Sequence, residues 1–341
     1  MHTIFVTGGT GYIGSHTAVE LMNNGYRVVI VDNLSNSQIE VIDGIEAITG
    51  TRPIFEQFDL CDRDKVFALF RKYSIDAIIH FAALKAVNES IEKPLEYYHN
   101  NLESLIVLLE SMKKFNTSSL VFSSSCTVYG QPDELPVTES APIKKALAPY
   151  GNTKQIGEEI IQDTLHAVPD IKAISLRYFN PIGAHPSAQI GELPRGVPQN
   201  LVPFVTQTVA GVREKLRVFG NDYNTPDGTP IRDYIYVVDL AKAHVVSVKR
   251  LLENQNKTNF EIFNLGTGKG RSVLEIIKSF EKATGQKVNY EITNRREGDI
   301  EQVWADTKLA NETLGWKANT PLEDIMLSAW NWEKKIRNNP L

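Results

Sequence analysis

"FVTGGTGYIGSH", residues 5–16, decides how this chain folds. It opens as a run of β-formers, turns through glycines at positions 8, 11 and 14, and runs on into a helical pattern. Such a turn brings free backbone N–H groups and the positive end of a helix dipole to one point, a seat for a diphosphate. Alone it is weak evidence, because any tight strand-to-helix connection can use glycine. Asp32 strengthens it. It ends the next strand, 18 residues after Gly14, where a carboxylate accepts hydrogen bonds from an adenosine ribose. An acid there repels a 2′-phosphate, so the pattern points to NAD rather than NADP. Asp59, ending the third strand, can reach the adenine from the same side.

Outward from this turn, short apolar runs alternate with longer helical patterns. Strand candidates lie at 3–7, 27–31, 53–58, 76–82, 119–124 and 173–178, and helices near 12–24, 36–48, 62–72, 94–114 and 149–166. Several strands are continuous runs of Val, Ile and Phe, as strands covered on both faces are. Within 94–114, Leu95, Tyr98, Leu102, Leu105, Leu109 and Met112 recur at three- and four-residue intervals, the mark of an amphipathic helix. The alternation predicts an α/β fold with a Rossmann-type, doubly wound parallel sheet.

After about residue 180, Pro181, Pro186, Pro194, Pro198 and Pro203 mark irregular segments, and regular elements are expected to shorten. The expected division is a NAD-binding domain over 1–179, to which a segment of about 234–264 returns, and a smaller α/β domain, mainly substrate-binding, over 180–341. "NLGTGKGRS" at 264–272 looks like a second nucleotide loop. Lys269 is followed by Gly270 rather than Ser or Thr, which excludes an ATP loop and leaves a tight turn before a helix over 273–284.

With 42% hydrophobic and 23% charged residues among 341, the chain can bury a large core. A net charge of −5 argues against nucleic acid as the main partner. Cys61 and Cys126 are too few for a disulfide framework, and no Cys/His cluster marks a metal site. Both read as small buried residues in strand-like surroundings. No basic leader or apolar signal precedes "TIFVTGG", and no run approaches the roughly 20 apolar residues of a membrane helix. The expectation is a cytoplasmic protein without a membrane partner.

"PYGNTK", residues 149–154, places Tyr150 one helical turn before Lys154, and no other tyrosine has that spacing. Residues four apart share a helix face, so both can point at a nicotinamide at the carboxyl ends of the strands. A free tyrosine has a pKa of about 10, too high for a base at neutral pH. A nearby ammonium and the nicotinamide's positive charge would both favour the phenolate. Ser125, just past the fifth strand in "FSSSCTVYG", can donate to the same oxygen. Each residue alone has an ordinary structural explanation; the ordered set is harder to reach by accident.

With these residues in place the chain resembles the extended short-chain dehydrogenase/reductase superfamily and, within it, the UDP-glucose (UDP-galactose) 4-epimerase family. The resemblance covers essentially the whole chain. It includes "VTGGTGYIGSHT", "VDNLSNS", "HFAALKAVNESIEKPLEYYHNN", "FSSSCTVYG", "PYGNTK", "LRYFNPIGAHPS", "PQNLVPFV", "FGNDYNTPDGTPIRDYIYVVDLA", "NLGTG" and "RREGD".

The resemblance implies a UDP-hexose 4-epimerase of galactose metabolism, working through a 4-keto sugar with tightly held NAD. Tyr150 would be the base, Lys154 would hold the nicotinamide ribose, and Ser125 would aid proton transfer. It also implies a cofactor site of Gly8, Gly11, Tyr12, Ile13, Gly14, Asp32, Asn33, Asp59, Leu60, Phe81, Ala82, Lys85, Asn100, Tyr150, Lys154 and Phe179. For the UDP-sugar it implies Ser125, Tyr150, Asn180, Asn200, Phe219 beside the uracil, Arg232 and Arg296 at the diphosphate, Asp299 and Val303. Val303 stands where narrow-specificity members carry tyrosine, so UDP-GlcNAc and UDP-GalNAc are also expected substrates. A homodimer joined through helices 94–114 and 149–166 is expected as well.

Two alternatives stay open on sequence. A nucleotide-sugar 4,6-dehydratase or decarboxylase shares the superfamily, but a dehydratase needs an Asp-Glu pair where this chain has Ser125-Cys126-Thr127. A non-catalytic NAD-binding protein could keep the glycine turn while losing the tyrosine or lysine, and both are present.

Overall fold

The computed structural model describes residues 1–296 and 299–338, so Glu297 and Gly298 of "RREGD" lie outside the described residues. Its first half alternates as the apolar pattern requires. The elements are β1 (Thr3–Thr7), α1 (Tyr12–Asn23), β2 (Arg27–Asp32), α2 (Glu40–Thr49), β3 (Ile54–Gln57), α3 (Arg63–Lys72), β4 (Ala77–His80), α4 (Val87–Glu92), α5 (Pro94–Phe115), β5 (Ser119–Ser125), α6 (Pro149–Ala167) and β6 (Lys172–Tyr178).

One helix start and one extra helix differ from expectation. Helix α2 starts at Glu40 rather than near 36, because side chains capture the backbone ahead of it. Leu34 N–H donates to Asp32 Oδ1 (2.9 Å) and Ser35 N–H to Asn33 Oδ1 (3.0 Å), a local alternative to helix. The short α4, which the sequence pattern did not announce, ends just before Pro94.

The second half runs β7 (Asn180–Ile182), α7 (Leu201–Val209), β8 (Leu216–Phe219), β9 (Ile231–Tyr236), α8 (Val237–Leu252), β10 (Phe260–Leu265), β11 (Gly270–Ser272), α9 (Val273–Thr284), β12 (Tyr290–Thr293), β13 (Gln302–Val303), α10 (Lys308–Leu314) and α11 (Leu322–Asn338). Its elements are not uniformly short: α8 and α11 span 16 and 17 residues. The glycine-rich stretch from 264 is a turn and short strand feeding α9, whose N-cap Ser272 and Glu275 form a reciprocal capping box.

Seven parallel strands form the central sheet in the order β10-β6-β5-β4-β1-β2-β3. Successive residues of β1 face opposite cores. Ile4 and Val6 pack with Ile30, Ile79 and Leu176, while Phe5 packs with Val29, Ile78 and Leu120. Burial of both faces is why these strands read as unbroken apolar runs. The strand order reverses between β1 and β4, and beyond the carboxyl ends of such strands an open parallel sheet leaves its ligand crevice. A smaller sheet of β11, β9, β13 and β7 and a two-stranded β12-β8 pair complete the strands.

Candidate functional site

Beyond β1 the backbone closes on itself so tightly that only glycine fits. A Cβ on Gly14 would lie 2.3 Å from the Gly8 carbonyl oxygen. One on Gly8, whose φ is +66°, would lie 2.8 Å from the Ala82 nitrogen. Helix α1 begins at Gly11 with no side chain capping it, which leaves first-turn N–H groups for an anion. The cradle fits a dinucleotide diphosphate. Thr7 Oγ1 ties it to the next strand by accepting from the N–H groups of Phe81 (3.2 Å) and Ala82 (3.3 Å). Tyr12 donates its hydroxyl to the Gly183 carbonyl (2.6 Å), and Ile13 packs between two cores.

The acids expected on the adenosine side do converge. Asp32 accepts from Leu34 N–H (2.9 Å), the Ser37 hydroxyl (3.1 Å) and Thr10 N–H (3.2 Å). Asn33 Nδ2 donates to Asp59 Oδ2 (3.0 Å), and Leu60 beside it is core. Asn100 donates to Asn101 (2.9 Å), and the buried Phe179 donates its N–H to the Leu265 carbonyl (3.1 Å). Lys85 lies 3.8 Å from Glu192.

At the start of α6, Pro149 occupies the first turn and Tyr150 and Lys154 follow on one face. Lys154 Nζ donates to the Ser123 carbonyl (2.6 Å) and stands 6.0 Å from the Tyr150 ring centre. Burial pushes the phenol up to about 12, against a hydrogen bond with Ser125 that pulls it down. Burial draws the Lys154 ammonium down to about 8, with Glu158 opposing. The sequence reading expects the phenolate to be favoured by the Lys154 ammonium together with a nicotinamide cation; among the protein's own groups, burial has the largest effect. A positive charge beside the phenol would oppose this rise.

Across the crevice, Asp299 gathers two arginines: Arg232 Nη2 at 2.5 Å and Arg296 Nη2 at 3.5 Å. The Arg296 guanidinium also lies 5.9 Å from the centre of the half-exposed Phe219 ring. Val303 pairs with Arg232 in register and packs with Phe179 and Cys126 in one apolar wall. Asn180 pairs with Tyr234, and Asn200 precedes α7 with its amide on Glu192 Oε1 (2.5 Å). The cysteines depart from expectation: both are half-buried, Cys61 in a turn and Cys126 in a single 3-10 turn. Each thiol is pushed up to about 12, chiefly by burial, so neither is a reactive thiolate.

Three polar side chains that spacing did not reveal hold this arrangement. Glu158, one turn past Lys154, receives Arg177 through Nε (3.0 Å) and Nη2 (2.6 Å), and the hydroxyls of Ser124 and Ser175 at 2.7 Å each. Asn101 accepts from Leu84 N–H (2.8 Å) and donates to Thr153 Oγ1 (3.1 Å), joining the Lys85 loop to α6. Glu192 carries both Lys85 and Asn200. The first two belong to buried faces of amphipathic helices, where a polar residue is the available signal. Among the described residues no group of His, Cys, Asp and Glu could hold a metal ion, and no helix is long and apolar enough to cross a membrane.

Comparison with known proteins agrees across the chain. The family described as GDP-mannose 4,6 dehydratase matches residues 5–328. The UDP-glucose 4-epimerase of Bacillus subtilis is 50% identical over 335 residues, 98% of this chain and 98% of that protein. The crystal structure of UDP-glucose-4-epimerase from Stenotrophomonas maltophila with bound NAD and formylated UDP-arabinopyranose is 47% identical, with a TM-score of 0.96 and 99% of each chain covered. That of Bifidobacterium longum in complex with NAD+ and UDP is 47% identical, with a TM-score of 0.94 over 98% of this chain and 99% of the other.

The ammonium of Lys154 is held at a cost that depends on pH. Below about 8 it is charged folded and unfolded, and the full penalty applies. Between there and about 10.5 the folded state releases a proton that the unfolded state keeps, so the penalty fades. Lys154→Met should therefore raise the urea midpoint at pH 7, a gain that shrinks towards pH 10. A lower midpoint at pH 7 would show the ammonium to be net stabilising.

Proposed function

The chain belongs to the UDP-glucose 4-epimerase family, and on that premise we propose that it interconverts UDP-glucose and UDP-galactose through a 4-keto intermediate. The observation that carries this reading is the placing of Lys154 beside the Tyr150 ring and of Ser125 next to its hydroxyl, at the end of β5 in the same parallel sheet whose β1 feeds the Gly8–Gly14 cradle. Residues 1–179 with the 234–264 segment serve NAD, and the remainder serves the nucleotide sugar.

Tyr150 takes the proton from the sugar 4-hydroxyl and later returns it, with Ser125 bridging the two oxygens. NAD, when bound, would supply the reversible hydride acceptor at C4 and a positive charge beside the phenol. Lys154 adds its ammonium and holds the nicotinamide ribose. Gly8, Gly11 and Gly14 admit the diphosphate, Asp32 takes the ribose hydroxyls, and Asn33 and Asp59 flank the adenine.

Inversion also demands an uneven grip. Arg232 and Arg296 fork onto the substrate diphosphate, with Asp299 keeping the pair together, while Phe219 lies against the uracil and Asn180 and Asn200 add polar contacts. The sugar is left loosely held, so the ketone can turn and present its other face.

A 4,6-dehydratase is the reading closest to the matched family description. It would need carboxylates after β5, and Cys126 and Thr127 offer none. We place the protein in the cytoplasm, where unpaired thiols such as Cys61 and Cys126 persist.

Tyr150→Phe should fold, keep NAD, and lose turnover by about a hundred- to ten-thousandfold. Product analysis should give an epimer of unchanged mass, and wild-type turnover in the variant would reject Tyr150 as the base. At the sugar pocket, Val303 lacks the bulk of a tyrosine, which supports acceptance of UDP-GlcNAc and UDP-GalNAc. Val303→Tyr should cut turnover of the N-acetyl pair by more than about tenfold while sparing the unmodified pair; equal losses on both would sink this specificity reading.

A homodimer is the proposed assembly. Helix α5 and the neighbouring α4 leave Leu95 and Ile91 81% and 60% exposed, apolar side chains suited to burial in a four-helix bundle with α6 of each copy. Sedimentation should find twice the chain mass at micromolar concentration, and a monomer there would count against it.

A further inference from the structure

The loop Asn33–Ser37 carries the adenosine side of the proposed site, yet the fold holds it by little. Asn33, Ser35 and Asn36 are exposed, and Leu34 sits in the left-handed backbone region at φ +58°. A leucine there costs about 1 kcal/mol or more and persists only where surrounding contacts fix it. From within its own half of the chain the loop is held by Asp32, through Leu34 N–H and the Ser37 hydroxyl, by Thr10 Oγ1, 2.6 Å from Ser37 Oγ, and by Asn33 Nδ2 on Asp59 Oδ2 (3.0 Å).

A further hold comes from 160 residues away. Arg195 Nη1 donates to the Ser35 carbonyl (2.8 Å), and Nη2 donates to the Ser37 carbonyl. The two carbonyls flank Asn36, so one planar guanidinium spans the outer bend of the loop. Arg195 is itself well placed to bear load. Its segment is fastened at one end by Trp332 Nε1 on the Glu192 carbonyl (2.8 Å) and beyond it by Arg213 Nη2 on the Gly196 carbonyl (3.3 Å). Ile190, just before, is buried in the core beneath the central sheet.

We propose that Arg195 is a positioning residue for cofactor retention, a clasp that keeps the Asn33–Ser37 loop shut over the adenosine end of bound NAD. The inference rests on the reading of that loop as part of the NAD site. Arg195 acts on the loop backbone, so its effect falls on how long the nucleotide stays.

The test is the release rate of NAD from purified holoenzyme, followed as free nucleotide after dilution, for the wild type, Arg195→Ala and Arg195→Lys. Two charge-assisted hydrogen bonds at an exposed site predict release about five- to tenfold faster in the alanine variant. The lysine variant should fall between, since an ammonium there can still engage a carbonyl. Thermal midpoints at saturating NAD should stay close together, which a general loss of structure would not allow. Equal release rates in wild type and both variants would overturn the clasp. A wild type that carries and binds no NAD would overturn the NAD reading itself, and the clasp with it.

Discussion

Helix α6 carries the two residues on which the chemistry turns, and its placement depends on the ion pair between Glu158 and Arg177. The side chains are 10% and 4% exposed, so each charge has lost nearly all its water. Desolvation on that scale costs several kcal/mol per ion, and it is offset only where geometry is good and the remaining lone pairs are filled. Here both carboxylate oxygens are engaged by the guanidinium fork, and two serines fill further sites. Arg177 reaches on to the Tyr129 hydroxyl (2.9 Å), which donates to Asn264 (2.7 Å). One polar knot thus joins α6 to β5, β6 and β10. Such a pair adds little net stability, and its value is positional. Because residues 150, 154 and 158 share one helix face, fixing the last fixes the first two against the strand ends.

The same burial that makes the site exact in position makes it adverse in charge. A phenol near 12 and an ammonium near 8 are both displaced toward neutrality, the opposite of what the proposed chemistry wants. A nicotinamide cation beside the phenol would oppose that displacement, as the Lys154 ammonium would. The same reasoning separates this chain from its dehydratase relatives, since the fold, the glycine cradle and the Tyr-Lys pair are compatible with several reactions. What narrows them is the side chains at the end of β5 and directly after it, where Ser125, Cys126 and Thr127 bring hydroxyls and a poorly acidic thiol instead of carboxylates.

Much of this was legible because it is written in local patterns. Strand-helix alternation and the glycine spacing gave the parallel sheet and its crevice, with element ends displaced by a few residues where side chains captured backbone groups. Asp32, Asn33 and Asp59 could be expected near one another because all follow consecutive parallel strands. Glu158, Asn101, Glu192 and Arg195 escaped notice because their partners are set by the fold: Arg195 and Ser35 are 160 residues apart. Spacing reveals neighbours but not the depth of burial, which pushes the Tyr150 phenol up among the protein's own groups. The cysteines were misplaced likewise, since apolar neighbours in sequence do not fix which side of a turn a thiol occupies.

The edge of the central sheet has a consequence for how the protein is made. Strand β10, at residues 260–265, covers β6, at 172–178, and until it arrives the ribosome holds a chain whose outermost strand offers a row of unpaired N–H and C=O groups. Asn264, which completes the knot around Arg177, arrives on that same strand. The nascent N-terminal half must therefore wait for about eighty more residues with an open, apolar-flanked edge, the kind of surface that invites pairing with another chain. Premature termination anywhere in that interval leaves a sticky fragment rather than a smaller working unit.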